Sequence, residues 1–169
     1  MLIAMAGLPG TGKSTIAGMI GAQLRAAVVS VDPIEAAILT AGIDDDQPTG
    51  LAAYLVAGTI AESVLSAGQT IVVDAVNAVG PAREQWVELA KRHGVPLKFV
   101  ETMCSDGDLH RTRLVARRLP GAVENHAVEQ SLEDYAQWTG PSAGVARITL
   151  DTSHSVASNV AAALAFLTD

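Results

Sequence analysis

The sequence predicts an α/β fold in which helices cover both faces of a mainly parallel five-stranded sheet. Short apolar runs rich in β-branched residues alternate with longer stretches of helical period, the order that βαβ units produce. Hydrophobic residues make up 49% of the 169 residues and aromatic residues only 4%, so small aliphatic side chains must build the interior. A chain of this length is expected to form one domain over residues 1–169.

The first two strands flank a glycine-rich turn and a helix. Residues 2–6 (LIAMA) form an apolar run that is too short for a membrane span or a signal peptide and reads as a buried strand. The helix predicted for residues 13–25 carries an aliphatic residue at every fourth position. The second strand is predicted at residues 27–31 and ends at Asp32.

The rest of the chain continues the alternation. Gly42, Gly68 and Gly94 end predicted helices, and Pro96 marks a turn before a strand. A capping-box arrangement of Ser105 and Asp108 is expected to begin a later helix. The predicted helices cover residues 33–41, 49–67, 84–93, 105–119, 123–138 and 155–167, and the remaining strands cover 70–74, 97–103 and 146–150.

Charge and cysteine content limit the partners. The formal net charge is −7, with 18 acidic and 11 basic residues, which gives no broad positive surface for nucleic acid. Cys104 is the single cysteine of the chain, so neither an internal disulfide nor a thiol pair for a metal is expected. The sequence therefore predicts a cytoplasmic protein, a monomer or homodimer, with no nucleic-acid or membrane partner.

A phosphate-binding loop follows the first strand. Its sequence, GLPGTGKS at residues 7–14, fits G-x-x-x-x-G-K-[ST] between a strand and a helix, the context this motif requires. Glycines let successive amide N–H groups converge on phosphate oxygens, and the helix N-terminus adds positive charge. Lys13 is expected to neutralise the β and γ phosphates, Ser14 to bind Mg²⁺ and Thr15 to contact the α phosphate. The predicted nucleotide-binding residues of the loop are Gly7, Leu8, Pro9, Gly10, Thr11, Gly12, Lys13, Ser14 and Thr15.

Two carboxylates are predicted at the strand ends where ligands of open α/β sheets bind. Asp74 closes the apolar run IVVD, the form of a Walker B carboxylate that holds Mg²⁺ or its waters, although a turn-capping role is open. Asp32 either caps the following helix or accepts the proton of an acceptor hydroxyl, and we favour this general-base role. Glu35, one turn further, faces the acceptor or solvent.

Arginines cluster on the helix after the fourth strand. Arg113 and Arg117 lie on one face at i and i+4, where like charges repel unless an anion joins them. Guanidinium groups here would stabilise charge on the transferred phosphoryl oxygens, whereas the alternative is a solvated helix. His110, one turn before Arg113, could contact the nucleotide or lie at the surface.

With these residues placed, the chain resembles the predicted-kinase branch of P-loop proteins, which includes polynucleotide kinase domains, chloramphenicol phosphotransferase and zeta-toxin-like kinases. The segments that carry the resemblance are residues 7–15, VVDAVN at 72–77, RLVAR at 113–117 and LDTS at 150–153. The resemblance implies a sheet order of 2-3-1-4-5 and a short helical lid over about residues 113–138.

The resemblance also implies the roles of the site residues. Asp32 would be the catalytic base beside Lys13, with Arg113 and Arg117 clamping the phosphates. Thr152 would border the adenine base. The acceptor-binding residues would be Asp32, Glu35 and Asn77, and the metal ligands would be Ser14 and Asp74.

The predicted function is ATP-dependent transfer of a phosphoryl group to a hydroxyl of a small metabolite or antibiotic-like acceptor, with Mg²⁺ as cofactor and GTP left open as donor. Relatives often carry an arginine at the position of Glu35, and the carboxylate here favours a neutral or cationic acceptor. A nucleic-acid 5′-hydroxyl or nucleotide-sugar kinase is the first alternative. A non-catalytic nucleotide-binding regulatory module is the second.

Overall fold

The computed structural model describes residues 1–116 and 135–169. Within them, one helix follows each strand except β2, which two helices follow, and a 3₁₀ helix precedes the last strand. The strands are β1 (Leu2–Ala6), β2 (Ala27–Ser30), β3 (Ile71–Asp74), β4 (Leu97–Met103) and β5 (Arg147–Asp151). The helices are α1 (Lys13–Leu24), α2 (Val31–Thr40), α3 (Thr49–Ser66), α4 (Gly80–His93), α5 (Gly107–Ala116) and α6 (Val156–Thr168), and the 3₁₀ helix is Gly140–Gly144.

All five strands are parallel, in the order β2-β3-β1-β4-β5. The predicted α/β fold and strand order are therefore confirmed. In this order β1 is central, and the phosphate-binding loop leaves its carboxyl end between β3 and β4. Ser30 lies opposite Asp74 in the register of β2 and β3, which brings the ends of these two strands to the same edge.

Two apolar layers cover the sheet because successive residues of a strand point to opposite faces. Ile3 and Met5 of β1 pack with residues of α1 and α6. Leu2 and Ala4 pack on the other face with α3 and α4. The buried positions of α3 that follow one another at i+4 are Ala53, Ala57, Ala61 and Leu65, and their small side chains allow the helix to approach the sheet closely.

Helix α3 is the one described helix whose length and composition would suffice to cross a membrane, a test that core helices of soluble proteins also pass. It packs here against α2, α4, β2 and β3.

Several predicted boundaries were wrong. β2 ends at Ser30, so Asp32 lies in the first turn of α2 instead of ending the strand. Helix α4 begins at Gly80, four residues before the predicted start, because a proline is compatible with the first helical turn. Helix α5 is capped by Asp106, whose Oδ1 accepts bonds from two backbone N–H groups, so the capping box expected at Ser105 does not form.

The helix predicted over 123–138 was also wrong at its last four residues, which are the part of it that the structure describes. Residues 135–138 are not helical. The backbone N–H of Ala136 donates to the carbonyl of Ala78 at 2.9 Å, whereas in a helix it would donate to the carbonyl four residues earlier. Arg83 donates hydrogen bonds to the carbonyls of Ala136 and Gln137. The predicted residue Arg117 and most of the predicted lid lie outside the described residues.

Candidate active site

Hydrogen bonds attach the phosphate-binding loop to β4 and to the segment that follows β3. Gly7 has φ of 128°, and a Cβ there would lie 2.2 Å from the carbonyl oxygen of Thr102, so only glycine fits. The Gly7 N–H donates to the carbonyl of Val76 at 3.0 Å. The hydroxyls of Thr11 and Thr102 lie 2.8 Å apart. The loop is thus attached to both β3 and β4 sides of the sheet.

Lys13 is buried at the first position of α1. Its Nζ donates to the carbonyl oxygen of Leu8 at 2.8 Å, and the Thr11 hydroxyl donates to the same oxygen at 2.7 Å. The ammonium group therefore lies against the loop whose bound phosphates it is predicted to neutralise. Ser14 and Thr15 follow it and are exposed, at a helix N-terminus suited to an anion.

A cavity of about 420 Å³ opens beside this loop. It brings together residues that are far apart in the sequence and were predicted to bind the nucleotide. The predicted residues that line it are Gly10, Gly12, Lys13, Ser14, Thr15, Arg113 and Thr152. Asn159 of α6 also lines it, a contact that the sequence did not indicate.

Arg113 and Thr152 form a bidentate contact at the wall of this cavity. The two terminal nitrogens of Arg113 donate to Thr152 Oγ1 at 2.9 Å and to its carbonyl oxygen at 3.0 Å. Thr152 Oγ1 in turn donates to the carbonyl oxygen of Thr11 at 2.9 Å. The arginine is therefore held at the cavity by a residue that also contacts the phosphate-binding loop.

Asp74 lies at the carboxyl end of β3 and is 5% exposed. Its Oδ2 accepts a hydrogen bond from the Ser30 hydroxyl at 3.0 Å. Asp32 is exposed in the first turn of α2, two residues beyond Ser30. Glu35 is half-buried, and its Oε1 accepts from the hydroxyl of Thr49 at 2.9 Å, which ties α2 to the start of α3.

Tyr54 of α3 is a site residue that sequence reasoning missed, because a tyrosine within a helix carries no spacing signal. Its hydroxyl accepts from the backbone N–H of Asn77 at 3.0 Å. Burial raises the pKa of the Tyr54 phenol to about 12. The nearby carboxylates that also raise it are those of Asp32, Glu35 and Asp74. One hydroxyl therefore lies within the electrostatic reach of all three acids.

Asn77 is enclosed by hydrogen bonds. It has no exposed surface and a left-handed φ of 48°. Its Nδ2 donates to the carbonyl of Met5 at 2.6 Å, and its Oδ1 accepts from Trp86 Nε1 at 2.9 Å. Because both amide atoms are engaged and buried, this geometry does not support the predicted acceptor contact from Asn77. The residue instead fixes the turn after β3.

Arg83 of α4 is a second residue that the sequence did not indicate. It has no exposed surface, and its described hydrogen-bond acceptors are backbone carbonyls. Those carbonyls belong to Asn77, Ala78, Ala136 and Gln137. The guanidinium also lies 4.1 Å from the ring centroid of Trp138. A buried cation is thus compensated by dipoles and a π face.

The oxygen atoms of Ser14 and Asp74 suit a magnesium ion that takes its other ligands from phosphates and water. The described residues contain no group of three or more His, Cys, Asp or Glu side chains that could hold a metal. Mg²⁺ keeps several waters and needs few protein ligands. The Ser14 hydroxyl and the Asp74 carboxylate are hard donors of this kind.

A family model described as "AAA domain" matches residues 2–141. The chain belongs to this AAA-domain family. The match includes the phosphate-binding loop, α2, α3 and β3, so it covers both sides of the candidate site. No curated protein sequence matches the chain significantly.

Solved structures with the P-loop kinase fold superpose on nearly the whole chain. A candidate kinase from Chloroflexus aurantiacus has a TM-score of 0.78 and 22% identity, covering 99% of this chain and 95% of its own. A gluconokinase from Sinorhizobium meliloti has a TM-score of 0.69 and 20% identity, covering 98% and 90%. An APS kinase from Mycobacterium tuberculosis, in complex with AMPPNP and APS, has a TM-score of 0.71 and 18% identity, covering 99% and 97%. At these identities the likeness shows the fold, and the finer resemblance to antibiotic or toxin-type kinases stays a prediction.

Proposed function

We propose that this protein is an ATP-dependent kinase that transfers the γ-phosphoryl group to a hydroxyl of a small, neutral or cationic acceptor. The observation that carries the proposal is the meeting of two unlike sites at one edge of the sheet. A phosphate-binding loop with Lys13 and Arg113 lies on one side. The carboxylates of Asp32 and Glu35 on α2 and of Asp74 at the end of β3 lie on the other.

The residues of the phosphate side would bind and orient the donor. The loop N–H groups and Lys13 would hold the β and γ phosphates, and Arg113 would contact the phosphate oxygens from the cavity wall. Ser14 and Asp74 would hold Mg²⁺, which when bound neutralises phosphate charge. GTP remains an alternative donor, since no described side chain decides the base.

The residues of the carboxylate side would receive the acceptor. Asp32 would accept the proton of the attacking hydroxyl as the bond to phosphorus forms. Its exposed position in the first turn of α2 leaves its carboxylate accessible. Glu35 is anchored by Thr49 and would contact a polar or positively charged group of the acceptor.

The charge distribution supports a neutral or cationic acceptor. Residues 26–82, which include β2, α2, α3 and β3, contain seven acidic residues and no lysine, arginine or histidine. An anionic acceptor would be repelled by this segment. The same absence of basic residues disfavours the alternative of a nucleic-acid 5′-hydroxyl kinase.

A screen of hydroxyl compounds tests the proposal. The protein is incubated with MgATP and with amino alcohols and amino sugars, neutral sugars, or sugar acids, and acceptor-dependent ADP release is measured. We expect release with one of the first two classes, and mass spectrometry of the product should show one added phosphoryl group. ATP binding without transfer to any class would favour the regulatory module, and transfer to sugar acids alone would contradict the charge argument.

A further inference from the structure

His110 of α5 contacts the phosphate-binding loop at a peptide group that matters for anion binding. Its Nε2 lies 2.7 Å from the carbonyl oxygen of Pro9. A carbonyl oxygen only accepts hydrogen bonds, so Nε2 carries the proton and donates it. The two residues are 101 positions apart in the sequence, and the contact joins α5 to the loop.

The carbonyl of Pro9 and the N–H of Gly10 belong to one planar peptide unit. In a trans peptide the two bonds point in opposite directions. Holding the Pro9 carbonyl on the α5 side therefore turns the Gly10 N–H toward the opposite side. In a phosphate-binding loop, N–H groups bind phosphate oxygens from one side while carbonyls must point away.

The next-but-one peptide unit is held in the same way. Thr152 Oγ1 shares its proton between the carbonyls of Thr11 at 2.9 Å and Met103 at 3.0 Å. The Thr11 carbonyl lies in the same peptide plane as the N–H of Gly12. Leu114, one turn after His110, lies beside Gly10 of the loop. A Cβ on Gly10 would lie 2.8 Å from Leu114 Cδ2, so α5 touches the loop backbone directly.

We propose that His110 is a positioning residue for the nucleotide phosphates: its hydrogen bond to the Pro9 carbonyl orients the Gly10 N–H toward the phosphate oxygens. The inference rests on the nucleotide-binding part of the proposed function and not on phosphoryl transfer. It gives a role to a histidine for which the sequence left both a nucleotide contact and the more usual surface position open. His110 acts on the phosphate through the loop backbone, without touching it.

The test measures the dissociation constant of MgATP by isothermal titration calorimetry, with the melting temperature recorded for every variant. His110→Ala should weaken MgATP binding about five- to tenfold, the range expected for one lost orienting hydrogen bond. His110→Gln, which keeps an N–H donor, should recover most of the affinity. His110→Leu, which keeps bulk without a donor, should bind as weakly as the alanine variant.

His93→Ala is the matched control, because His93 lies on α4 beside Glu62, away from the cavity. It should leave the dissociation constant unchanged. A lower melting temperature of His110→Ala with unchanged MgATP affinity would overturn the inference, and so would equal affinities of the Gln and Leu variants. If His110→Ala fails to fold, the comparison of Gln with Leu decides.

The inference and the proposed function fail separately. An acceptor screen without product, together with weakened MgATP binding by His110→Leu, would overturn phosphoryl transfer and support the role of His110. Acceptor-dependent transfer, together with unchanged MgATP affinity in all three His110 variants, would support phosphoryl transfer and overturn the role of His110.

Discussion

The two halves of the sheet differ in charge. Residues 26–82, from β2 to the start of α4, have a formal charge of −7 and no basic residue. The other residues of the chain contain 11 acidic and 11 basic side chains and are formally neutral. The β2–β3 half thus repels anions, whereas the loop after β1 and the helix after β4 supply Lys13 and Arg113 to the cavity. Under the proposed function, this difference in charge would distinguish the donor site from the acceptor site within one continuous sheet.

The largest effect is expected at Asp32, and comparison with Lys13 tests whether the two halves of the sheet have separate functions. Asp32→Asn should lower phosphoryl transfer about 10²- to 10⁴-fold, the usual contribution of a general base, while MgATP affinity stays near that of the parent. Lys13→Ala should instead weaken MgATP binding about 10- to 100-fold, because a charge-assisted contact is lost. Steady-state ADP release and calorimetry measure the two quantities. Loss of nucleotide affinity in Asp32→Asn would show that the halves are not separable.

The next prediction concerns Arg83, which joins the turn after β3 to residues 136 and 137. Arg83→Met should lower the free energy of unfolding by about 2–4 kcal/mol, because four backbone carbonyls lose a fully buried donor. Urea denaturation followed by circular dichroism measures the change. The matched control is Arg92→Met on the same helix, whose 61% exposed side chain pairs with Glu62 at 3.7 Å; it should cost less than about 1 kcal/mol. Equal effects would mean that the Arg83 contacts contribute little.

A smaller effect is expected at Arg113, on the phosphate side. Arg113→Ala should lower kcat/KM for MgATP about tenfold, since the guanidinium is positioned at the cavity by Thr152 and would stabilise phosphate charge. Arg111→Ala, which removes an exposed arginine of the same helix, is the control and should change this ratio by less than about twofold. An equal loss in both variants would point to the general charge of α5.

The smallest effect sharpens the charge argument on the acceptor side. Glu35→Gln keeps an oxygen that can accept from Thr49 but removes the charge. It should raise KM for a cationic acceptor about two- to fivefold, the size of a partly exposed ion pair, and leave KM for a neutral acceptor unchanged. Glu62→Gln, the same change on α3, should affect neither. An unchanged KM for the cationic acceptor would remove Glu35 from the acceptor site.

The periodic and motif-bearing parts of the molecule could be predicted from the sequence, and the long-range polar contacts could not. The apolar run before Gly7 and the lysine-serine pair after it place β1, the loop and α1, because strand, turn and helix are local in sequence. Tyr54 and Arg83 carry no such pattern. The Tyr54 hydroxyl bonds a backbone group 23 residues away, and Arg83 bonds carbonyls up to 54 residues away, which only the folded chain brings near.

The boundary at Asp32 shows the same limit on a smaller scale. An apolar run followed by an acid reads equally well as a strand end or as the first turn of a helix. The structure ends β2 at Ser30, where the pairing with β3 reaches Asp74. The position of an acid relative to a strand end therefore depends on the neighbouring strand, which local sequence does not specify.

The surroundings of Asn77 provide an optical reporter that needs no label. The chain has two tryptophans; Trp86 donates its indole N–H to Asn77, and Trp138 stacks on Arg83. Indole emission depends on hydrogen bonding and on nearby charge, and both tryptophans contact residues at the turn that follows β3, Trp86 through Asn77 and Trp138 through Arg83. A change in emission on adding MgATP would report a rearrangement of that turn, and Trp86→Phe and Trp138→Phe would separate the two sources.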